Sequence, residues 1–131
     1  MRVLVVEDEP IIAINIQATL LDLGYRPVGP AATISEAMSL IEQRKFDAAI
    51  LDISLPDGES YDLAETLVER GIAVMFATGR DIETSSLLLA DVPVISKPFD
   101  LAKLGKCLET LKARVQAGRA QTSPAPQSAC A

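Results

Sequence analysis

The sequence contains no histidine and only two cysteines, Cys107 and Cys130, whose spacing fits neither a disulfide framework nor a zinc site. Histidine and cysteine bind most transition metals in proteins, so this composition argues against transition-metal chemistry. A hard cation that prefers oxygen ligands is still compatible with the sequence. The low cysteine content also predicts a cytoplasmic protein.

Long hydrophobic runs are missing too. No apolar stretch approaches the ~20 residues that a transmembrane helix needs, and the N-terminus lacks the layout of a signal peptide, so we expect no membrane partner. The net charge of −6 argues against direct nucleic-acid binding, which requires clustered Lys and Arg. There is no GxxxxGK(S/T) loop, and no GxGxxG follows the first predicted strand, so we expect no nucleotide site.

Hydrophobic residues make up 49% of the 131 positions, which is enough for the core of a single domain. Short apolar segments alternate with helical patterns. The predicted strands are Arg2–Val6, Tyr25–Gly29, Ala48–Leu51, Ile72–Ala77 and Pro93–Ile95. This alternation predicts an α/β fold, a doubly wound three-layer sandwich around a parallel five-stranded sheet.

Helix signals lie between the predicted strands. Thr33 and Glu36 form a capping box that opens the second helix. Ser60 and Asp100 are placed to cap the third and the last helix. The last helix is expected to bury one apolar face, made of Leu101, Leu104, Leu108, Leu111 and Val115.

Two segments depart from this regular alternation. The segment Arg80–Val92, between the fourth and fifth strands, contains mostly poor helix formers, so we predict a fourth helix that is short or irregular. From Gln116 onwards the chain is rich in Gly, Ser, Pro, Gln and Ala, a composition typical of disorder. We therefore expect one folded domain over residues 1–116 and a disordered tail over residues 117–131.

Polar side chains follow four of the five predicted strands, where these strands end. The first strand leads into Glu7 and Asp8, the third into Asp52, the fourth into Thr78 and the fifth into Lys97. Each has an ordinary structural explanation by itself, as a helix cap, a turn residue or a solvated charge. Because the carboxyl ends of parallel strands meet at one edge, where ligands of such folds bind, we expect these side chains to converge.

The residue types in this group suit phosphoryl transfer. Carboxylates crowded at one place repel each other unless a cation lies among them, and Mg²⁺ prefers such oxygen ligands. Beside that ion, an ionised Asp52 is a candidate nucleophile that forms an acyl phosphate. Lys97 and the Thr78 hydroxyl can then bind other phosphoryl oxygens. Since no nucleotide site is expected, the phosphoryl group has to arrive on another molecule.

Four motifs of the chain together resemble the receiver domain of two-component response regulators. They are Val5–Pro10, Leu51–Gly58, Ala77–Gly79 and Lys97–Phe99. The resemblance extends over Arg2–Val115. It implies the CheY-like fold with strand order 2-1-3-4-5, and a bacterial, cytoplasmic phosphoprotein of a two-component phosphorelay.

The resemblance also implies roles for single residues. Asp52 would accept a phosphoryl group from the phosphohistidine of a sensor histidine kinase or a phosphotransfer protein. Asp8 would bind Mg²⁺ directly and Glu7 through water. Asp52 and the backbone carbonyl of Ser54 would complete the metal site.

The switch residues of the family would be Thr78 and Lys97, and the resemblance implies a cis peptide bond between Lys97 and Pro98. Val94 occupies a position that is often aromatic in the family, so the usual coupling between threonine and an aromatic side chain is not expected here. Glu7 stands where many members have aspartate, which gives the site a longer acidic arm.

The stretch Phe76–Gly79 resembles the FATGUY subgroup of receivers, whose fourth helix is often unusual. Arg80 and Asp81 replace the hydrophobic residue and the tyrosine that complete that motif. Arg80 and Ser54 occupy positions that often control water access to the phosphoacceptor in the family.

These features predict a stand-alone response regulator, because no output domain follows in the sequence. Its signal would pass to an effector protein through Arg80–Val92, the fifth strand and the last helix, from a monomer or weak dimer. The alternatives are a phosphate sink for a shared kinase and a binding adaptor that never uses phosphate. A phosphatase of similar topology would need an acidic group at the position of Ser54. We expect no enzymatic activity beyond the protein's own phosphorylation and dephosphorylation.

Overall fold

The computed structural model describes residues 1–119. Within them, the chain forms five strands of one sheet and four α-helices. In chain order these are β1 (Arg2–Val6), α1 (Pro10–Asp22), β2 (Arg26–Ala31), α2 (Ile34–Gln43), β3 (Ala48–Leu51), α3 (Tyr61–Glu69), β4 (Ala73–Thr78), β5 (Val94–Ser96) and α4 (Leu101–Arg119). A small hairpin, with strands Ser54–Leu55 and Gly58–Glu59, follows β3.

The five strands are parallel and lie in the order β2-β1-β3-β4-β5, which confirms the predicted fold and strand order. Helices α2 and α3 cover one face of the sheet, and α1 and α4 cover the other. In β1, Leu4 and Val6 face the first pair of helices, whereas Val3 and Val5 face the second pair. The strand is therefore apolar at successive positions rather than at every second one.

Strand β2 forms an edge of the sheet, a position that suits Pro27 because proline lacks the N–H that a central strand would need. The strand continues to Ala31, beyond the predicted end at Gly29. Gly29 has a φ of 99°, and a Cβ there would lie 3.1 Å from the carbonyl oxygen of Val5. Glycine tolerates both conditions, so it lets the strand run on where it usually signals an end.

Two of the predicted helix caps are present. The N–H of Glu36 donates a hydrogen bond to Oγ1 of Thr33 at 3.0 Å, which begins α2. The N–H of Lys103 donates to Oδ1 of Asp100 at 2.7 Å, which begins α4. These contacts join residues three positions apart, and so they can be read from sequence.

Two other side-chain predictions are wrong. Ser60 occupies the N-cap position of α3, but its hydroxyl makes no capping bond and instead donates to the carbonyl oxygen of Asp52 at 2.6 Å. Leu101 was expected on the buried face of α4, yet it is 56% exposed, because it begins the helix before the turns that pack on the sheet. The buried leucines of that face are Leu104, Leu108 and Leu111.

The segment between β4 and β5, where we predicted a short or irregular fourth helix, forms only a 3₁₀ turn at Leu87–Leu89. Two hydrogen bonds tie this segment to α3. The N–H of Glu83 donates to Oη of Tyr61 at 2.8 Å. The hydroxyl of Ser86 donates to a carboxylate oxygen of Glu65 at 2.8 Å.

Helix α4 continues to Arg119, three residues beyond the expected end of the domain at residue 116. The rest of the predicted tail, residues 120–131, lies outside the described residues. In residues 1–119, no helix combines the length and the apolar character that crossing a membrane requires.

Candidate functional site

The polar residues that follow β1, β3, β4 and β5 meet at the carboxyl edge of the sheet. An open cleft of about 460 Å³ lies there, and its lining includes Asp8, Asp52, Ser54, Thr78 and Lys97. Glu7 is almost fully buried and joins the group through an ion pair with Lys97. The structure thus brings all six predicted site residues together, from four different strand ends.

The ammonium group of Lys97 is the positive centre of this group. Its Nζ atom contacts Oε1 of Glu7 and lies 3.1 Å from Oδ2 of Asp52 and 3.7 Å from Oε1 of Glu9. Burial by itself lowers the pKa of Lys97, but the hydrogen bonds with Glu7 and Asp52 outweigh it and the net pKa is raised. Lys97 therefore stays charged. The peptide bond between Lys97 and Pro98 is cis, as the resemblance implies.

Glu7 has an unusual acidity. Its side chain is removed from water, and this burial raises the pKa of Glu7 from 4.5 to about 7. The hydrogen bond from Lys97 and that from the N–H of Glu9 lower the pKa, while the charge of Asp52 raises it further. Near neutral pH, the charge of this carboxylate therefore depends on what else occupies the site.

An oxygen-rich cluster surrounds Asp52. One carboxylate oxygen from each of Glu7, Asp8, Glu9 and Asp52 lies within 4.8 Å of the others. Lys97 pairs with three of these four acidic groups, all but Asp8, so carboxylates outnumber the cation and the cluster offers only hard oxygen donors, which suits Mg²⁺. Glu9 was not among the predicted ligands; the unbroken acidic run Glu7, Asp8, Glu9 was the signal for it.

Arg80 forms the rim of the cleft on the side of β4. Its N–H donates to Oγ1 of Thr78 at 3.2 Å, and its Nη1 atom donates to Oγ of Ser54 at 3.1 Å. The guanidinium group also pairs with Glu59 at 2.7 Å and with Glu83 at 3.3 Å. The contacts with Ser54 and Glu59 join residues more than 20 positions apart in sequence, and sequence reasoning missed them.

Two anchors hold the loop that follows Asp52. Ser60 is fully buried, and its hydroxyl fixes the carbonyl oxygen of Asp52. At the turn of the hairpin, both carboxylate oxygens of Asp57 accept hydrogen bonds from the first N–H groups of α2, at Ile34 and Ser35. These bonds, led by that from Ile34, hold the pKa of Asp57 below its usual value. The loop that follows Asp52 is thus fixed at two points.

Comparison with known proteins leads to the same family as the site. A family model described as the response regulator receiver domain matches residues 3–109. The transcriptional regulatory protein PdtaR of Mycobacterium tuberculosis (strain H37Rv) is 29% identical over 117 residues, which cover 86% of this chain and 57% of PdtaR. The chain thus spans little more than half the length of this curated relative.

Solved structures agree over nearly their whole length. The solution structure of SdrG from Sphingomonas melonis Fr1 has a TM-score of 0.73 and 38% sequence identity, and covers 86% of this chain and 96% of that chain. The BeF3-activated conformation of SdrG from Pseudomonas melonis Fr1 has a TM-score of 0.70 and 40% identity, and covers 84% and 94%. The match is to receivers in general, so membership of the FATGUY subgroup stays a prediction.

Receiver domains are signalling phosphoacceptors rather than general enzymes; they bind Mg²⁺ in an acidic pocket and interact with histidine kinases or phosphotransfer proteins. The acidic cluster and the parallel sheet of this protein fit that description. Since the family model covers residues 3–109, this chain belongs to the response regulator receiver domain family of two-component systems.

Proposed function

We propose that Asp52 accepts a phosphoryl group from the phosphohistidine of a sensor histidine kinase or a phosphotransfer protein, and that an effector protein then binds the phosphorylated form. The observation that carries this proposal is the position of the Asp52 carboxylate. It lines the cleft, it is only 7% exposed, and one of its oxygens lies 3.1 Å from Nζ of Lys97.

The transfer forms one bond and breaks one. An oxygen of Asp52 bonds to phosphorus while the bond from phosphorus to the histidine nitrogen breaks, and its electron pair stays on that nitrogen, which takes up a proton. The product is an acyl phosphate on Asp52. Lys97 supplies a positive charge to one phosphoryl oxygen, and the hydroxyl of Thr78 supplies a hydrogen bond to another. Beyond its own phosphorylation and dephosphorylation, the protein catalyses no reaction.

The acidic cluster would hold Mg²⁺ in this proposal. Asp8, Asp52 and the backbone carbonyl of Ser54 are the proposed direct ligands, with Glu7 acting through water. When bound, the ion neutralises charge on the transferring phosphoryl group. Lys97 keeps part of the acidic charge compensated by pairing with Glu7 and Asp52.

Helix α1 offers the surface on which the phosphoryl donor would dock. Ile11 and Ile14 lie one turn apart on its solvent face and are 75% and 61% exposed, and Ile12 of the same turn lines the cleft. Exposed apolar residues beside a reaction site are typical of a protein interface. We propose that these isoleucines contact the apolar surroundings of the donor's phosphohistidine.

The effector would bind a different surface. That surface comprises the segment 80–92, β5 and α4, and it carries Leu87, which is 92% exposed. We propose that the protein is a monomer or weak dimer, and that it acts in the cytoplasm, where the buried thiol of Cys107, which forms no disulfide, stays reduced.

A phosphate sink is the second candidate. Val94 in β5 stands where a switch aromatic is often found in the family, which favours a receiver that accepts phosphate without a large change of surface. An adaptor that never uses phosphate is disfavoured, because it would have no need of the buried Glu7 and Asp52 carboxylates.

The test of the proposal is labelling with acetyl phosphate. We expect the wild-type protein to gain one phosphoryl group in the presence of Mg²⁺, as measured by intact mass, and to gain none with EDTA. Asp52→Ala should abolish labelling, whereas Asp81→Asn, which removes an exposed carboxylate near the cleft, should not. Labelling that survives Asp52→Ala would contradict the assignment of the phosphoacceptor.

A further inference from the structure

The guanidinium group of Arg80 lies at the rim of the cleft that contains Asp52. Its Nη1 atom is 3.1 Å from Oγ of Ser54, two residues after Asp52, and 2.7 Å from a carboxylate oxygen of Glu59. Its Nη2 atom is 3.3 Å from Glu83. One cation is thus shared between the hairpin that follows the phosphoacceptor and the segment between β4 and β5.

Breaking these ion pairs should change the stability of the protein only slightly. The side chain of Arg80 is 36% exposed, and those of Glu59 and Glu83 are 50% and 73% exposed. Salt bridges between exposed groups contribute little to stability, because water and salt screen them. A stronger anion within reach would therefore displace the two carboxylates from Arg80.

A phosphoryl group on Asp52 would be such an anion. It carries about −1.5 to −2 charges near pH 7 and three strong acceptor oxygens, compared with one charge on a carboxylate. The fork of an arginine side chain matches phosphate oxygens well. Arg80 lines the same cleft as Asp52, Thr78 and Lys97, so the phosphoryl group would form within the same cavity.

We propose that Arg80 is an additional phosphoryl-binding residue of this site. When its guanidinium group leaves Glu59 and Glu83 and binds the phosphoryl group, the conformation of residues 81–86 changes. This inference rests on the proposed phosphorylation of Asp52. It gives the protein a route for its signal that needs no aromatic side chain at Val94.

The contacts of Arg80 explain how this transfer would reach the surface. When the guanidinium leaves Glu83, that residue keeps the hydrogen bond from its N–H to Tyr61 but loses the partner of its side chain. The backbone N–H of Arg80 donates a hydrogen bond to the hydroxyl of Thr78, so a movement of either residue displaces the other. The signal thus passes directly into the segment that carries the exposed Leu87.

The experiment is a titration with beryllium fluoride in the presence of Mg²⁺, followed by amide chemical shifts and by calorimetry. In the wild type we expect binding at Asp52 and shifts that spread to Glu83 and Ser86. Arg80→Ala should weaken binding about tenfold, the loss expected for one charge-assisted hydrogen bond, and should remove the shifts in the segment. Arg80→Lys keeps the positive charge but loses the forked guanidinium group, so its affinity for beryllium fluoride should lie between those of the wild type and Arg80→Ala.

Glu83→Gln should change the affinity for beryllium fluoride in the opposite direction to Arg80→Ala. It releases Arg80 from a competing carboxylate, so beryllium fluoride should bind about two- to threefold more tightly. In the double variant Arg80→Ala/Glu83→Gln this gain should vanish, because there is no guanidinium left to release. Arg70→Ala and Glu42→Gln are matched controls, since this exposed pair, 3.3 Å apart, lies near the amino ends of the strands.

The outcomes separate this inference from the proposed function. If the wild type does not bind beryllium fluoride, the proposed function fails and the inference fails with it. If the wild type binds and Arg80→Ala binds equally well with the same shifts, only the role of Arg80 is overturned. A gain from Glu83→Gln that persists in the double variant reflects general repulsion and also overturns that role.

Discussion

The Nζ atom of Lys97 lies 3.1 Å from Oδ2 of Asp52, so the proposed phosphoacceptor has a counter-charge before any phosphoryl group arrives. The same ammonium group contacts Glu7. The ammonium group of Lys97 therefore neutralises part of the carboxylate charge that Mg²⁺ would also neutralise. A lysine and a divalent cation compete for the same negative charge, and this competition can be measured.

Lys97→Met should change the two activities of the site in opposite directions. We expect Mg²⁺ to bind about tenfold more tightly, because a repelling charge is removed. Labelling by acetyl phosphate should slow by on the order of 100-fold, because a donor to the phosphoryl oxygens is lost. Calorimetry and the rate of mass gain measure the two effects. Lys103→Met, an exposed lysine of α4, is the control, and a parallel fall in both quantities would point to misfolding instead.

Glu7 should make stability depend on pH in the absence of metal. Its pKa is about 7 in the folded protein, raised from an ordinary value of 4.5, so between these values the folded state binds more protons than the unfolded state. The contribution of Glu7 is therefore most favourable below pH 4.5 and is lost as the pH rises to 7. In the wild type, the free energy of unfolding should fall by on the order of 2 kcal/mol between pH 5 and pH 7.5, measured by urea unfolding in EDTA. We expect Glu7→Gln to remove this fall.

Binding of Mg²⁺ should release the proton of the Glu7 carboxyl group. Because Mg²⁺ favours the ionised carboxylate, its binding below pH 7 should release a proton from the wild type and none from Glu7→Gln. Calorimetry in two buffers of different ionisation enthalpy counts the protons. Equal proton release from both proteins would assign the titration to another group.

Ser60 should matter through Asp52 rather than through helix α3. Its hydroxyl is buried and donates to the carbonyl oxygen of Asp52 at 2.6 Å, so Ser60→Ala leaves that oxygen unsatisfied and should cost about 1–3 kcal/mol in the free energy of unfolding. Labelling by acetyl phosphate should also slow at a temperature where the variant is fully folded. Ser39→Ala, at an exposed position, is the control. A loss of stability with an unchanged labelling rate would make Ser60 purely structural.

Local patterns were enough to predict the sheet and the residues at its carboxyl edge. The apolar run Ala48–Leu51 and the polar residue after it are set by neighbouring positions, and the parallel topology then brings Asp52, Thr78 and Lys97 to the same edge. The capping box at Thr33 and the cap at Asp100 are similarly local. Each of these depends on a spacing of a few residues.

What the sequence could not predict depends on contacts between distant residues. The resemblance marked Arg80 and Ser54 as positions that often control water access, but the pairing of Arg80 with Ser54 and Glu59 follows only from the way the hairpin folds against the end of β4. Ser60 fits a cap in sequence, but the buried carbonyl oxygen of Asp52 is the acceptor that it meets. In each case a tertiary partner replaced the local one.

Substitutions on α1 should separate the phosphoryl donor from the chemistry. Ile11→Ser and Ile14→Ser remove apolar surface that is already exposed, so the stability of the fold should change by less than about 0.5 kcal/mol. Phosphotransfer from a histidine kinase or phosphotransfer protein should fall, by roughly tenfold for the pair, because each isoleucine would be buried when the donor docks. Labelling by acetyl phosphate, which needs no docking surface, should remain at the wild-type rate. Leu87→Ser removes a still more exposed apolar side chain, on the proposed effector surface, and should leave both rates unchanged. If it slows phosphotransfer as much as the α1 variants do, the donor docks elsewhere.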